Sequence, residues 1–553
     1  MEDYKTSKEA FVAGMTGSSI GHVNMVSMVA LASIALHSTF RTRLPPNRTI
    51  NLPVEYLLLV VPLLLSVTLF ANSPGLLLLI ILFPTGVLFL LPPRESGTPL
   101  PSNIGHSRPN SPTPDRATDS SNADNGSSGT PNTVPPLAAL TTYRGHMLLL
   151  TCLCILAVDF PVFPRSLAKC ETYGVSIMDL GVGSFVFSQG VVSAIPLIKD
   201  PNYLNAPIFP KLFATTRKCL PVLILGVIRT LSVKGTDYPE HQSEYGIHWN
   251  FFFTLGLIPI FQVFLHPLIK YLPISLLGIL LAISHQIALA SGGLMDYVIN
   301  APRLDIISAN KEGLISLTGY FSIHLIGLST GTILLPPSPG FFRKLQHELQ
   351  NHRGPASVVN EPNSDSESDN DTPSRRRPRI RFRRENDKTA TELCSYAVVW
   401  WVVLGTTLAM NIGGGVSRRV VNLPYVAWVC AFNTTFILGY LLLDLVFFPS
   451  PLSKSIYSPT SKLKVQPDPT VLGHGRRNPR GKDDTAAAAP LLEAINKNGL
   501  VFFLLGNILT GLVNLAFPTM FMSDSWAMVV LGTYAFVISA SAWLTKDKKI
   551  WRV

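Results

Sequence analysis

The sequence predicts an all-α polytopic membrane protein of about 13 transmembrane helices with long disordered cytosolic loops. Three observations predict it. The chain is 47% hydrophobic and 14% charged, and its mean hydropathy is +0.31; the charged share is well under the ~25% of typical soluble domains. The apolar residues gather into runs of about 20, the number needed to cross roughly 30 Å of hydrocarbon. Those runs are too long and continuous for barrel strands, and in lipid a helix is the other way to satisfy the backbone.

The runs can be taken in order. The first, 19–37, carries Gly21, His22, Asn24 and Ser27, so it faces the bundle interior rather than lipid. The stretch before it, "MEDYKTSKEA", is polar, and no cleavable signal sequence is expected. Runs 53–71 and 73–92 are divided only by "NS" and Pro74. Run 142–160 stops at Pro161 and Pro164, which cannot continue a helix. Runs 174–194, 217–234, 247–266, 271–290 and 312–336 follow, then 391–412 and 421–447, then 498–519 and 524–544. The whole chain, 1–553, reads as one membrane domain.

Three linkers of about 93–137, 345–390 and 450–490 lack the apolar content to pack and are expected to be disordered. The middle one joins an acidic "NSDSESDNDT" to a basic "RRRPRIRFRR", read as a solvated loop, with anionic lipid head groups as the other partner for that charge. The net charge of +11 does not imply nucleic acid, because its distribution follows the membrane. With thirteen spans the connecting segments form two alternating sets, which hold 35 and 10 of the 45 Lys and Arg residues. Positive residues stay cytosolic, so the N-terminus is expected in the lumen and the C-terminus in the cytosol.

This orientation places "DFPVFPRSLAKCETYG", "YPEHQSEYGIHWN", "MDYVINAPRLDIISANKEG" and "GGGVSRRVVNLPY" on the lumenal side. Polar residues continue into the spans at Asp179, His248, Asn250, His324, Asn411, Asn422, Asn507 and Asn514. Ionisable groups inside a membrane are costly and face a cavity, a pathway or a partner. A shared polar chamber open to the lumen is the expected arrangement.

Within it, the break at Pro161 and Pro164 allows Asp159 and Lys169 to face one another, which one straight helix would not. Such a pair serves acid–base work, or simply ties a tight loop as an ion pair. Arg165 and Glu171 offer a second pair of the same kind. Gly181 and Gly183 permit close approach of a helix or a ligand chain. His248 suits acid–base or hydrogen-bonding work, or caps the helix that follows it. Arg303, Arg418 and Arg419 stand where positive charge is scarce, which suits phosphate recognition or helix-end ion pairs.

No HExxH, P-loop or CxxC pattern occurs, and the six cysteines lie in or beside apolar runs. Cys170 beside Lys169 reads as a bystander. No metal or cofactor is implied. The alternative class is a lipid or solute transporter without catalysis, which would carry charges near the midplane instead of at one face.

The sequence also resembles the inositol acyltransferases of glycosylphosphatidylinositol (GPI) anchor synthesis. The motifs that carry the resemblance are "YKTSKEAFVAGMTGSS", "DFPVFPRSLAKCETYGVSIMDLGVGSFVFSQG", "EYGIHWNFFFTL", "NKEGLISLTGYFSIHLIG", "RRVVNLPYVAWVCAFN" and "FFLLGNILTGLVN", in order from end to end. The resemblance implies a multi-pass enzyme of the endoplasmic-reticulum membrane. It would transfer a long acyl chain, palmitoyl in type, from acyl-CoA as co-substrate to the inositol 2-hydroxyl of glucosaminyl-phosphatidylinositol. It further implies Asp159 and Lys169 as the catalytic pair. Candidate substrate-binding residues are Arg165, Glu171, Asp179, Gly181, Gly183, Tyr245, His248, Asn250, Arg303, Arg418 and Asn422.

Overall fold

The computed structural model describes residues 10–11, 14–44, 50–91, 134, 136–234, 242–351, 384–448 and 487–550. Each of the thirteen expected runs falls on one helical element. These are α1 (Ile20–Arg43), α2 (Leu52–Val67), α3 (Pro74–Leu90), α4 (Ala138–Ala157) and α5 (Ile177–Lys199). They continue as α6 (Ile208–Lys234), α7 (Phe251–Ile269), α8 (Ile274–Ser291) and α9 (Lys311–Leu334). The last four are α10 (Asn386–Ala409), α11 (Leu423–Phe447), α12 (Gly499–Ala516) and α13 (Asp524–Leu544).

Ten of the thirteen are long and apolar enough to cross a membrane by length and composition. The others are explained by their residues. α3 is apolar but shorter, and so is α2, which is interrupted by a π-turn at Tyr56–Val60 just before Pro62; a proline has no N–H to give and displaces the preceding turn. α6 is long but carries Lys211, Arg217, Lys218, Arg229 and Lys234.

The centre of the bundle is α9, with 89% of its apolar window buried against 17% for α12. α9 lies against α5 backbone to backbone. A Cβ at Gly327 would run into the Phe187 carbonyl, and one at Gly331 into that of Val191. Small residues four apart share one helix face and let two membrane helices touch. α11 packs on α10 and α4, and α4 also meets α12. These contacts put the lower-numbered half of α5, the end of α4, and the starts of α7 and α11 around one end of the bundle.

The expected loops 93–137 and 450–490 fall almost wholly outside the described residues, as does most of 345–390. The edges of the last two are helical where described. Phe341–Asn351 forms a helix that buries Phe342 and Leu345, α10 already begins at Asn386, and Pro490–Lys497 forms another short helix. These edges carry apolar residues that the linker composition had masked.

Candidate active site

The turn between α4 and α5 is built by an arginine. α4 ends at Ala157, and Pro161 and Pro164 prevent any continuation before a short 3₁₀ turn, Arg165–Leu167. A helix end leaves carbonyls without partners. Arg165 Nη2 donates to the carbonyls of Val158 at 2.9 Å, Phe160 at 3.0 Å and Phe163 at 2.9 Å. Its guanidinium also stacks over the Phe11 ring at 4.1 Å. Burial lowers the Arg165 pKa to about 10, with the neighbouring Asp159 carboxylate acting the other way. The arginine therefore fixes the backbone that presents Asp159.

The returning strand of the turn is clamped from two sides. Ser18 N–H donates to the Val175 carbonyl at 2.7 Å, and Gly14 N–H donates to Glu171 Oε1 at 2.8 Å. On the other side, Gly174 N–H donates to the Val416 carbonyl at 2.9 Å. Gly174 has φ of 143°, and a Cβ there would meet Cys170 Sγ at 2.6 Å. Only glycine fits that position.

Below this turn lies a cavity of about 770 Å³, lined along α4 from Asp159 to Tyr143 and closed by α5, α6, α11 and α12. Its polar end holds Asp159, Lys169, Glu244, Arg418 and Asn514; Met147, Leu150, Ile155, Phe185 and Phe503 are among its apolar walls. Asp159, only 4% exposed, accepts a hydrogen bond from Asn514 Nδ2 at 2.8 Å. Thr519 Oγ1 donates to Asn514 Oδ1 at 3.1 Å, which sets the amide so that its NH₂ faces the carboxylate.

Lys169 pairs with Glu244 at 2.8 Å. Glu244 in turn lies 4.0 Å from Arg418, whose Nε donates to Asp179 Oδ1 at 2.5 Å. Asp179 is fully buried in the first turn of α5 and also accepts from Cys170 N–H at 2.9 Å and Ser176 Oγ at 2.8 Å. A carboxylate near a helix N-terminus is favoured by the aligned peptide dipoles. The result is an alternating chain of charges from Lys169 at the cavity wall to Asp179 in the core.

The expected Asp159–Lys169 pairing is thus redistributed: both side chains line the cavity, while Lys169 takes Glu244 as ion-pair partner and Asp159 takes Asn514. The expected Arg165–Glu171 pair is replaced by Arg165 on backbone carbonyls and Glu171 on Gly14. Gly181 lines the cavity, and a Cβ there would meet only Thr151 Oγ1 at 3.8 Å. Gly183 instead serves helix packing, since a Cβ would approach Tyr425 Oη to 2.9 Å and collide with Val429 of α11. Tyr245 and Asn250 line the cavity, although the Asn250 side chain is engaged as the N-cap of α7 and on the Gly226 carbonyl at 2.8 Å.

Like Arg165 and Gly183, five further candidates lie outside the cavity lining. His248 is outside its lining and is held through its backbone, its N–H on Asn310 Oδ1 at 2.8 Å. Arg303 and Arg419 grip the buried Glu312 at the start of α9, at 2.6 and 2.9 Å, because that carboxylate has no water to solvate it. Asn422 caps α11, accepting from Tyr425 N–H at 3.2 Å. Asp179 lies outside the lining and reaches it through Arg418 and the Cys170 N–H. Conversely, Glu244 belongs to the site beside Tyr245 without any mark in the sequence, because a lone glutamate in a polar loop carries no spacing signal.

Cys170 is buried, and burial followed by the Asp179 carboxylate pushes its thiol well above the ordinary range. A raised pKa keeps the group protonated and unreactive. Iodoacetamide at pH 8 is therefore expected to leave Cys170 unmodified in the folded protein, with peptide mass spectrometry as the readout. Rapid labelling there would reopen a thiol nucleophile.

Comparison with known proteins places the chain in a family. A relative described as GPI-anchored wall transfer protein 1 from Gibberella zeae is 36% identical over 98% of this chain and 96% of its own length. Proteins of the same description from Cryptococcus neoformans var. grubii and Yarrowia lipolytica are each 35% identical, over 100% of this chain and 100% and 99% of their own lengths. The GWT1 family model matches residues 4–545, nearly the whole chain, and this chain belongs to the GWT1 family.

Proposed function

We propose that the protein is an acyl-CoA-dependent acyltransferase of GPI-anchor synthesis, moving a long acyl chain to the inositol 2-hydroxyl of glucosaminyl-phosphatidylinositol. One observation carries the reading: a buried carboxylate, Asp159, and an ammonium, Lys169, both line the polar end of a deep, largely apolar cavity. A fatty acyl chain fits the apolar part, and the thioester then lies beside the charged groups. The relatives described as GPI-anchored wall transfer proteins point to the same pathway.

In the reaction, Asp159 accepts the inositol hydroxyl proton as the oxygen attacks the thioester carbonyl carbon. Lys169, kept at the cavity wall by Glu244, stabilises the negative oxygen of the tetrahedral intermediate. The carbon–sulfur bond then breaks, and the proton passes from Asp159 to the departing CoA sulfur. Asn514 keeps the carboxylate turned to the cavity throughout. The distribution of Lys and Arg supports a polar end on the side away from the cytosol, and the family resemblance implies the endoplasmic-reticulum membrane. The direct test supplies the detergent-purified protein with labelled palmitoyl-CoA and glucosaminyl-phosphatidylinositol. The expected product is an alkali-labile acylated lipid with release of free CoA; no transfer from any acyl-CoA would overturn the reading.

A further inference from the structure

The far end of the cavity is polar again, and the mechanism makes no use of it. From Asp159, just past the end of α4, the lining continues down one face of that helix through Ile155, Thr151, Met147, His146 and Tyr143. Eleven residues of helix separate the end of α4 at Ala157 from His146, about 17 Å of rise, with Asp159 in the turn just beyond. That depth slightly exceeds the hydrocarbon thickness of one leaflet, about 15 Å as half of a bilayer core. At the bottom, His146 Nδ1 lies 2.8 Å from Tyr440 Oη, and Tyr143 Oη bonds Asn433. All three aromatic rings are at least nine-tenths buried, being 3%, 3% and 4% exposed for His146, Tyr440 and Tyr143. His146 Nε2 has no hydrogen-bond partner among the described residues, and neither does Ser27 Oγ, whose residue also lines the cavity.

We propose that His146, Tyr440 and Tyr143 form a polar stop that sets the longest acyl chain the protein accepts. The proposal rests on the acyltransferase reading and adds its specificity determinant. Each methylene buried along the apolar wall strengthens binding about fourfold. That gain ends where the chain terminus meets His146, because a methyl group there faces a buried polar nitrogen and offers it no hydrogen bond. Chains that end above the stop gain with every added carbon; longer ones meet an unsatisfied polar floor.

The test is a series of lauroyl-, palmitoyl-, stearoyl- and arachidoyl-CoA, with kcat/KM measured for wild type and three variants in detergent. His146→Leu removes the polar floor, and its preference for arachidoyl over palmitoyl is expected to rise at least about tenfold. Tyr440→Phe, which keeps the ring and removes only the hydroxyl, is expected to move the profile the same way by less. Thr151→Leu narrows the groove about 8 Å above His146, five residues at the helix rise, and is expected to favour lauroyl. Displacement of a fluorescent acyl-CoA is expected to follow the same order, which gives a readout for any variant with slow turnover. If wild type transfers acyl groups and the chain-length profile of these variants is unchanged, the stop is overturned while the acyltransferase reading stands. Should wild type transfer none, both fail.

Discussion

Asp159→Asn is expected to lower acyl transfer by about 10²–10⁴-fold, the range typical for loss of a positioned general base, while the protein stays folded and still binds acyl-CoA. The amide has the shape of the carboxylate and can still accept from Asn514, so the turn held by Arg165 is undisturbed. What it loses is the ability to take a proton. Lys169→Ala is expected to be comparably damaging. Lys169→Arg restores only part of the rate, since a planar fork does not replace a compact ammonium at one oxyanion. Glu244→Gln is the informative neighbour: it frees Lys169 from its resting partner while keeping the loop's shape. Single-turnover kinetics separate chemistry from binding here. An Asp159→Asn protein with near wild-type turnover would remove the general base from the mechanism.

Much of this arrangement was legible in the sequence, for a physical reason. Lipid demands long apolar helices, so all thirteen elements announce themselves by composition, and the prolines after Asp159 mark the turn. Charged residues in or beside spans are rare enough to flag a chamber. Which charge takes which partner was not legible. Lys169 and Glu244 lie 75 residues apart, and Arg418 and Asp179 lie 239 apart, so only the packing of α5 against α9 and α11 brings them together. The same limit separates Gly181 from Gly183. Two positions apart on one helix, they face different neighbours, one the cavity and the other the side chain of Val429. Arg303 and Arg419 show how a scarce arginine misleads: their charge answers a buried glutamate, not a ligand.

The second large effect is on the fold. Asp179→Ala is expected to destabilise the protein severely, by about 3–5 kcal/mol, the usual cost of removing one partner of a buried ion pair. Arg418 is then left with its nearest remaining carboxylate at 4.0 Å, with its side chain only 3% exposed. Cys170 N–H and Ser176 Oγ lose their acceptor in the same step, so the return loop that carries Lys169 loosens as well. Replacing both partners, Asp179→Leu with Arg418→Met, removes the stranded charge and is expected to recover part of the thermal midpoint measured in detergent. Activity is expected to stay low in the double variant, because the loop donors remain unpaired and Glu244 has lost the cation behind it. That split, stability partly restored and turnover not, is what assigns the pair to holding the site rather than to holding the bundle alone. An Asp179→Ala protein that melts with wild type would mean that Arg418 finds another counter-ion, and the charge chain from Lys169 to the core would carry no weight.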